Sequence, residues 1–369
     1  MYNSHGGCFE SSEGKASMTT ASNIYEDVSD YISSGSLTPL FVCGNSLSVL
    51  EEIPSNSIDC CMTSPPYWGK REYLGGGIGL EENQSEYIEQ LLRVFTQVRR
   101  VLKSTGSLWI NIGDTYREKG LLGLPWRLAL RLIDEQNWVL RNDVIWNKIK
   151  GPDNSIDRLR NVHEYVFHFT KISKGYYYDV NSIRSKPRKA QIKNGVVISA
   201  TGVTGVKYKR QLELSTSLTE EEKVSAYHAL KEILNQVAKG EISDFRMVIR
   251  NQQRTTHSDS ERLSGRAKEL VQKGFYFLKY HPDGSKPGDV WDIIPEDTQN
   301  RTEHYAPYPE DLCRIPISAT CPVSGIVLDP FCGTGTTNLV SRMLERKSIG
   351  IDISHSYIAY ASERCNLLI

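Results

Sequence analysis

The sequence has no apolar run approaching the roughly 20 residues that cross a bilayer, and its opening MYNSHGGCFESSEGKASMTT has no continuous apolar stretch. Neither a membrane span nor a cleaved secretory leader is expected. Net charge is also missing: 44 Lys and Arg stand against 44 Asp and Glu, so the overall balance points to no acidic partner. The eight cysteines (8, 43, 60, 61, 313, 321, 332 and 365) form no CxxC pair and no zinc spacing. Cys60 and Cys61 sit in an apolar run, as small buried hydrophobes do. Reduced thiols, no metal site and a cytoplasmic location are the expectation. There is no internal repeat.

What is present suffices for a sizeable core. The 369 residues, 39% hydrophobic and 24% charged, fit one large domain or two moderate ones. Disordered, collagen-like and coiled-coil chains are excluded. The charge is unevenly distributed, however. Residues 181–280 hold 19 Lys and Arg against 10 Asp and Glu, a surplus of nine that the remaining residues offset. Such asymmetry suggests that one segment faces a polyanion, a solvated lysine-rich insertion being the plainer alternative.

Residues 1–35 read as a polar tail. Leu40 to Cys43 is a strand ending at Gly44-Asn45, and Ile58 to Thr63 is a second, stopped by Ser64-Pro65-Pro66-Tyr67. Two prolines cannot continue a central strand, so the chain must leave the sheet there. Apolar residues at 87, 88, 91, 92, 95, 98, 101 and 102 predict an amphipathic helix from Ser85 to Lys103. Strands follow at Gly106 to Ile112, Trp138 to Trp146 and Val162 to Thr170, with a helix at Leu124 to Glu135. This alternation predicts an α/β sheet with helices on both faces. From about 181 to 290 the pattern dissolves into Ser, Lys, Arg, Gln and Gly, with one clear helix at Thr219 to Ala238. That stretch reads as an inserted module. Regular structure resumes with strands Ile326 to Asp329 and Ser348 to Asp352 and helices Thr336 to Arg346 and Ser354 to Cys365.

Two motifs carry chemistry. The first, Asp329-Pro330-Phe331-Cys332-Gly333-Thr334-Gly335-Thr336-Thr337, follows an apolar strand and opens a helix. Its glycines allow close backbone approach to a ligand. Seventeen residues beyond Gly335, the next strand ends at Asp352, an acid placed to suit two ribose hydroxyls. A nicotinamide site is the competing reading, but Asn338 stands where a GxGxxG fingerprint needs its third glycine. A nucleoside without pyrophosphate fits better. The second motif is Thr63-Ser64-Pro65-Pro66-Tyr67-Trp68.

DPFCGTGTT followed by GIDIS resembles the S-adenosylmethionine motif of DNA amino-methyltransferases, and SPPYW resembles their (D/N/S)PPY motif. The order, target motif first and cofactor motif last, is similar to the beta group, and the resemblance covers about residues 39–180 and 290–369. It implies a Rossmann-like methyltransferase fold: a seven-stranded, mostly parallel sheet with one antiparallel strand and a target-recognition region within 181–290. It further implies that Asp329 and Phe331 lie by the amino-acid part of the cofactor, that Gly333, Gly335 and Thr336 line the turn, that Asp352 holds the ribose and that Ile353 packs on adenine. Asn45, where relatives carry Asp, and the His304–Leu312 segment would complete the pocket; Asp114 ends a strand near it, as a site residue or a turn carboxylate.

For the target, the resemblance implies that the Ser64 hydroxyl and Pro65 carbonyl accept the two amine hydrogens. Pro66 stiffens the turn and Tyr67 stacks on a base flipped out of duplex DNA. Most N4-cytosine relatives carry serine before PPY and most N6-adenine relatives aspartate, so Ser64 favours cytosine N4, with adenine N6 as the alternative. A non-catalytic DNA-binding module and an RNA or protein methyltransferase are the readings from other classes. Arg184, Lys186, Arg188, Lys189, Lys207, Lys209 and Arg210 are the candidate phosphate contacts. A restriction endonuclease cognate to the same site is a candidate functional partner. Target sequence and oligomeric state are open.

Overall fold

The computed structural model describes residues 17–19, 24–69, 77–149, 155–251, 265–295 and 308–367. They divide into two units, one made of residues 1–182 and 288–369 and the other of residues 183–287.

In the first unit the chain begins with β1 (Ser17–Thr19), α1 (Ile24–Ser33), β2 (Leu40–Cys43), α2 (Ser46–Glu52) and β3 (Ile58–Thr63). Next come α3 (Gln84–Val101), β4 (Leu102–Ile112), a small hairpin of β5 (Tyr116–Arg117) and β6 (Gly120–Leu121), α4 (Leu124–Gln136), β7 (Val139–Asn147) and β8 (His163–Thr170). The second unit holds β9 (Gln191–Lys193), β10 (Val196–Ile198), α5 (Gly205–Glu213), α6 (Glu220–Ala238), β11 (Asp244–Ile249), α7 (Gly265–Lys273) and β12 (Phe275–Tyr280). The chain then returns to the first unit with β13 (Val290–Asp292), α8 (Glu310–Thr320), β14 (Ile326–Asp329), α9 (Thr336–Met343), β15 (Lys347–Asp352) and α10 (His355–Asn366).

The main sheet runs β1-β2-β15-β14-β3-β4-β8-β7-β13. Among the described residues it has nine strands, two more than expected: the seven of the expected sheet with three-residue strands added at both edges. Strands this short carry too little pattern to be seen in sequence, and β13 begins where the stretch assigned to the insertion ends. Only β8 opposes its neighbours, pairing antiparallel with both β4 and β7. Side chains alternate across the sheet as the pleat requires. Leu40, Val42, Cys61 and Leu328 pack into the core under α1 to α4, while Cys60, Met62 and Val327 face α8 and Phe41 faces α9 and α10. The polar tail ends earlier than expected, because α1 buries Val28 and Tyr31 in that first core.

β14 lies beside β3, with Val327 opposite Cys60 and Leu328 opposite Cys61. Both strands end at the same edge, and from this pair the chain runs outward in opposite directions, β14 to β15 and β3 to β4. In open α/β sheets this reversal point is where ligands bind, beyond the carboxyl ends of the strands.

The second unit has its own core of Tyr208, Leu212, Leu230, Ile233, Phe245, Met247 and Phe275, among others. Its described residues form three helices and two hairpins where sequence reading found one helix. Two of the expected phosphate contacts are engaged inside it. Arg184 donates to the Gly284 carbonyl at 2.7 Å, and Arg188 Nε lies 3.0 Å from Asp244 Oδ2, whose side chain is fully buried. Lys207, Lys209 and Arg210 lie exposed along α5, around the buried Tyr208; Lys209 also meets Glu213 at 3.8 Å. Arg188→Ala should therefore destabilise this unit by about 2–3 kcal/mol, since it strands a buried carboxylate and removes a partly exposed cation. Urea unfolding followed by fluorescence measures this, and wild-type stability would return Arg188 to the pool of solvated cations.

Candidate active site

The loop after β3 is fixed residue by residue. Thr63, the last strand residue, donates its hydroxyl to Asp329 Oδ1 at 2.6 Å. Tyr87 of α3 donates to the Pro66 carbonyl at 2.8 Å, one residue beyond the carbonyl assigned to the target amine. Trp68 donates its indole N–H to the Glu81 carbonyl at 2.9 Å. Tyr67 donates to Glu164 Oε2 at 2.6 Å, and the Ser64 hydroxyl lies against that same phenol. Burial, and then the Glu164 charge, push the Tyr67 phenol well above its ordinary range, so it remains a donor. Ser64 is half-buried at the strand edge.

Beside this loop stands the glycine-rich turn. Asp329, 1% exposed, is surrounded by donors: Thr63 and the Phe331 N–H on Oδ1, Thr337 and Tyr308 on Oδ2. Burial raises its pKa while these bonds, Thr337 and Thr63 foremost, oppose the rise. Its carboxylate therefore holds the two motifs together. Gly335 caps α9 in the left-handed region (φ 74°), and a Cβ there would come within 2.8 Å of Ala361 Cβ. The Thr336 hydroxyl accepts from Arg364 at 2.9 Å, so it braces the turn from behind. Phe331 is partly buried against the main core.

Asp352 accepts from the Gly333 N–H on Oδ2 (2.9 Å) and from the Ser354 N–H on Oδ1 (2.8 Å). Each oxygen makes one backbone bond and has a second lone pair, which suits a diol. Burial lifts its pKa from the ordinary 3.8 to about 6, against the pull of those two bonds. The next residue, Ile353, is 36% exposed at the strand end, an apolar surface beside the carboxylate. The residues present thus fit the nucleoside end of S-adenosylmethionine.

Two expected contributors behave differently. The Asn45 side-chain oxygen caps α2, accepting from Leu47 N at 3.0 Å and Ser48 N at 3.4 Å. Asp114 accepts from the N–H groups of Thr115, Gly123 and Leu124 and caps α4, a structural role. Residues 304–307 of the expected methionine-pocket segment lie outside the described residues. Its Tyr308 reaches Asp329, and residues from Glu310 on form α8. Sequence reading missed Glu164, Asn111 and Lys148, which lie far from the PPY motif in the chain; a buried acid in the otherwise aromatic strand HEYVFHFT was the available signal.

Comparison with known proteins agrees with this geometry. The sequence model of the family described as DNA methylase matches residues 58–363. The chain is 30% identical over 375 residues to the type II methyltransferase M.SfiI of Streptomyces fimbriatus, covering 85% of this chain and 88% of that protein. It is 27% identical over 373 residues to M.SmaI of Serratia marcescens, covering 93% and 96%. Among solved structures, the cytosine-N4-specific PvuII DNA methyltransferase shares the fold, with a TM-score of 0.53 at 18% identity over 97% of this chain and 90% of that one. The chain therefore belongs to the DNA methylase family of N6 and N4 methyltransferases and is a site-specific DNA amino-methyltransferase.

Proposed function

We propose that this protein methylates the exocyclic N4 amine of a cytosine flipped out of duplex DNA, with S-adenosylmethionine as methyl donor. The observation that carries the reading is the Thr63–Asp329 hydrogen bond, which holds the Ser64 loop against the Gly333–Gly335 turn. When bound, S-adenosylmethionine supplies a methyl group made electrophilic by the adjoining sulfonium.

The chain's own residues deal with the weak nucleophile. The lone pair of an exocyclic amine is delocalised into the ring, and acceptors aimed at its two hydrogens favour the pyramidal form that can attack. Ser64 Oγ and the Pro65 carbonyl supply them, and they gain strength as positive charge develops on nitrogen. Tyr67 offers its ring face to the unpaired base. Asp352 binds the ribose hydroxyls, and Phe331 and Ile353 enclose the rest of the nucleoside. Serine rather than aspartate at position 64 supports cytosine over adenine. The second unit, with its basic surplus, supplies the duplex contacts and base reading, as a target-recognition region. Incubation with tritiated S-adenosylmethionine and mixed DNA, then digestion to nucleosides, tests the reading directly. Label in N4-methylcytosine is expected; label in N6-methyladenine moves the assignment to adenine, and none in DNA ends it.

Three variants separate the roles. Ser64→Ala should leave cofactor affinity intact and lower turnover by about 2.7–4 kcal/mol of transition-state stabilisation. Calorimetric titration beside the methylation assay decides this, and wild-type turnover would remove Ser64 from catalysis. For Asp352 the sign follows from its raised pKa. The carboxylate accepts two hydroxyls only when ionised, so cofactor affinity should fall as pH drops through about 6. Without cofactor the same shift acts oppositely: this group's contribution to stability is full below its unfolded pKa and is lost as pH rises through about 6. Asp352→Asn should weaken the cofactor at pH 8 and abolish the step near pH 6; a retained step would place the titration elsewhere.

The triple variant Lys207→Ala, Lys209→Ala, Arg210→Ala should weaken binding to any duplex and leave cofactor affinity unchanged. For every phosphate that is no longer neutralised, the slope of log affinity against log salt should flatten by about 0.9. An unaltered slope would make α5 a solvated helix, and the recognition surface would then be sought between Arg246 and Lys279.

A further inference from the structure

We infer that Glu164 is a positioning residue for Tyr67: its carboxylate, itself held by one residue on and one just beyond the two strands that flank its own, tethers the tyrosine hydroxyl and so sets the plane of the ring that receives the target base. The inference rests on the stacking role given to Tyr67 above.

The two prolines of the loop restrict the backbone around Tyr67 but leave its side-chain torsions free. A ring that merely lay on the core could swing, and a base stacked on it would swing too. The structure restrains the far end of the ring. Tyr67 Oη donates to Glu164 Oε2 at 2.6 Å, and Glu164 is 8% exposed. Asn111, 1% exposed, donates through Nδ2 to the same oxygen at 3.0 Å and reaches the Tyr165 carbonyl at 3.3 Å. Lys148 pairs with the other oxygen, Oε1, while its ammonium lies 5.0 Å from the Trp146 ring centre. Asn111 is on β4, Lys148 directly follows β7, and Glu164 is on β8, which lies between them. The anchor is thus built into the sheet at three adjacent strands or their ends.

Two features go beyond what a structural ion pair needs. Neutralising Lys148 requires one carboxylate oxygen; the second is turned to the phenol and held there by Asn111. The backbone also makes room for the contact at Gly113, where a Cβ would lie 2.9 Å from Tyr67 Cε2 and 3.2 Å from Glu164 Oε1. Any side chain at that position would wedge the ring away from its tether. The geometry matches the general need of a reacting site for a receiving group held by a rigid supporting shell.

The test uses the full-length protein with Tyr67→Phe, Glu164→Gln, their double variant and Tyr67→Ala. Turnover, cofactor affinity and the emission of 2-aminopurine at the target position are measured for each. Tyr67→Phe keeps the ring and leaves the Glu164–Lys148 pair intact. It is expected to lower kcat roughly tenfold, the size expected for one charge-assisted hydrogen bond, with cofactor affinity unchanged and brighter emission from a less firmly stacked base. Glu164→Gln should behave the same way, because Lys148 keeps the one remaining acceptor oxygen and the amide nitrogen is left facing the phenol. The double variant should be no worse than Tyr67→Phe alone, because both lose the same tether. Wild-type kcat and emission in Tyr67→Phe would overturn the inference, as would a double variant whose loss is the product of the two single losses. If Glu164→Gln fails to fold, Tyr67→Phe decides alone. Tyr67→Ala separates the two levels. Wild-type turnover there would remove the stacking role itself, whereas an inactive Tyr67→Ala beside a wild-type Tyr67→Phe would remove only the tether.

Discussion

One buried carboxylate organises this molecule. Asp329 ends β14 at 1% exposure, where an unpaired charge would cost several kcal/mol. It is held there by Thr63, Phe331, Thr337 and Tyr308, drawn from the neighbouring strand, the turn, helix α9 and the segment before α8. These donors offset part of its desolvation. The bonds therefore fix relative positions as much as they add stability. Thr63 is the residue before Ser64, and Phe331 lies in the glycine turn, so the same bonds that satisfy Asp329 set the distance between the Ser64–Trp68 loop and the Gly333–Gly335 turn. An aspartate expected beside the cofactor turns out to act first on the protein.

The sheet topology brings these groups within reach of one another. β3 and β14 are far apart in sequence yet adjacent in space, and the crossover helices on either side diverge from them. The opening beyond their carboxyl ends is thus available without any cleft being carved from side chains. The linear order of motifs, with a whole unit between them, has no effect on this arrangement because only strand adjacency matters.

Much of this was legible in sequence where burial imposes a pattern. Ile58 to Thr63 and Ile326 to Asp329 are apolar because both of their faces are covered, and their stops at Ser64 and at the glycine turn mark the strand ends. Elements that bury little were not legible. β1 and β13 are three residues long, and most of the second unit hides its core residues among lysines and glutamates, as in α5 with only Tyr208 and Leu212 buried. Long-range polar pairing was the other blind spot. Nothing local distinguishes Arg188, which closes a buried pair with Asp244, from Lys207, which is exposed. Asn45 accepts from the first N–H groups of α2, and Asp114 from those at the start of α4, uses that the folded backbone decides and local sequence does not show.

The loop Ser64–Trp68 has no regular secondary structure, yet it is tied along its whole length. Its entry is tied to Asp329, its middle to Tyr87 and Glu164, and its exit to the Glu81 carbonyl. Two prolines already narrow its unfolded ensemble, so ordering it costs less than ordering an average loop of that length. A base that leaves the duplex gives up stacking worth a few kcal/mol. A receiving loop that had to be ordered at the same moment would add its own entropy to that loss. In the proposed reaction, a loop fixed in advance from strands on both sides removes the second cost and leaves base extrusion as the main conformational cost.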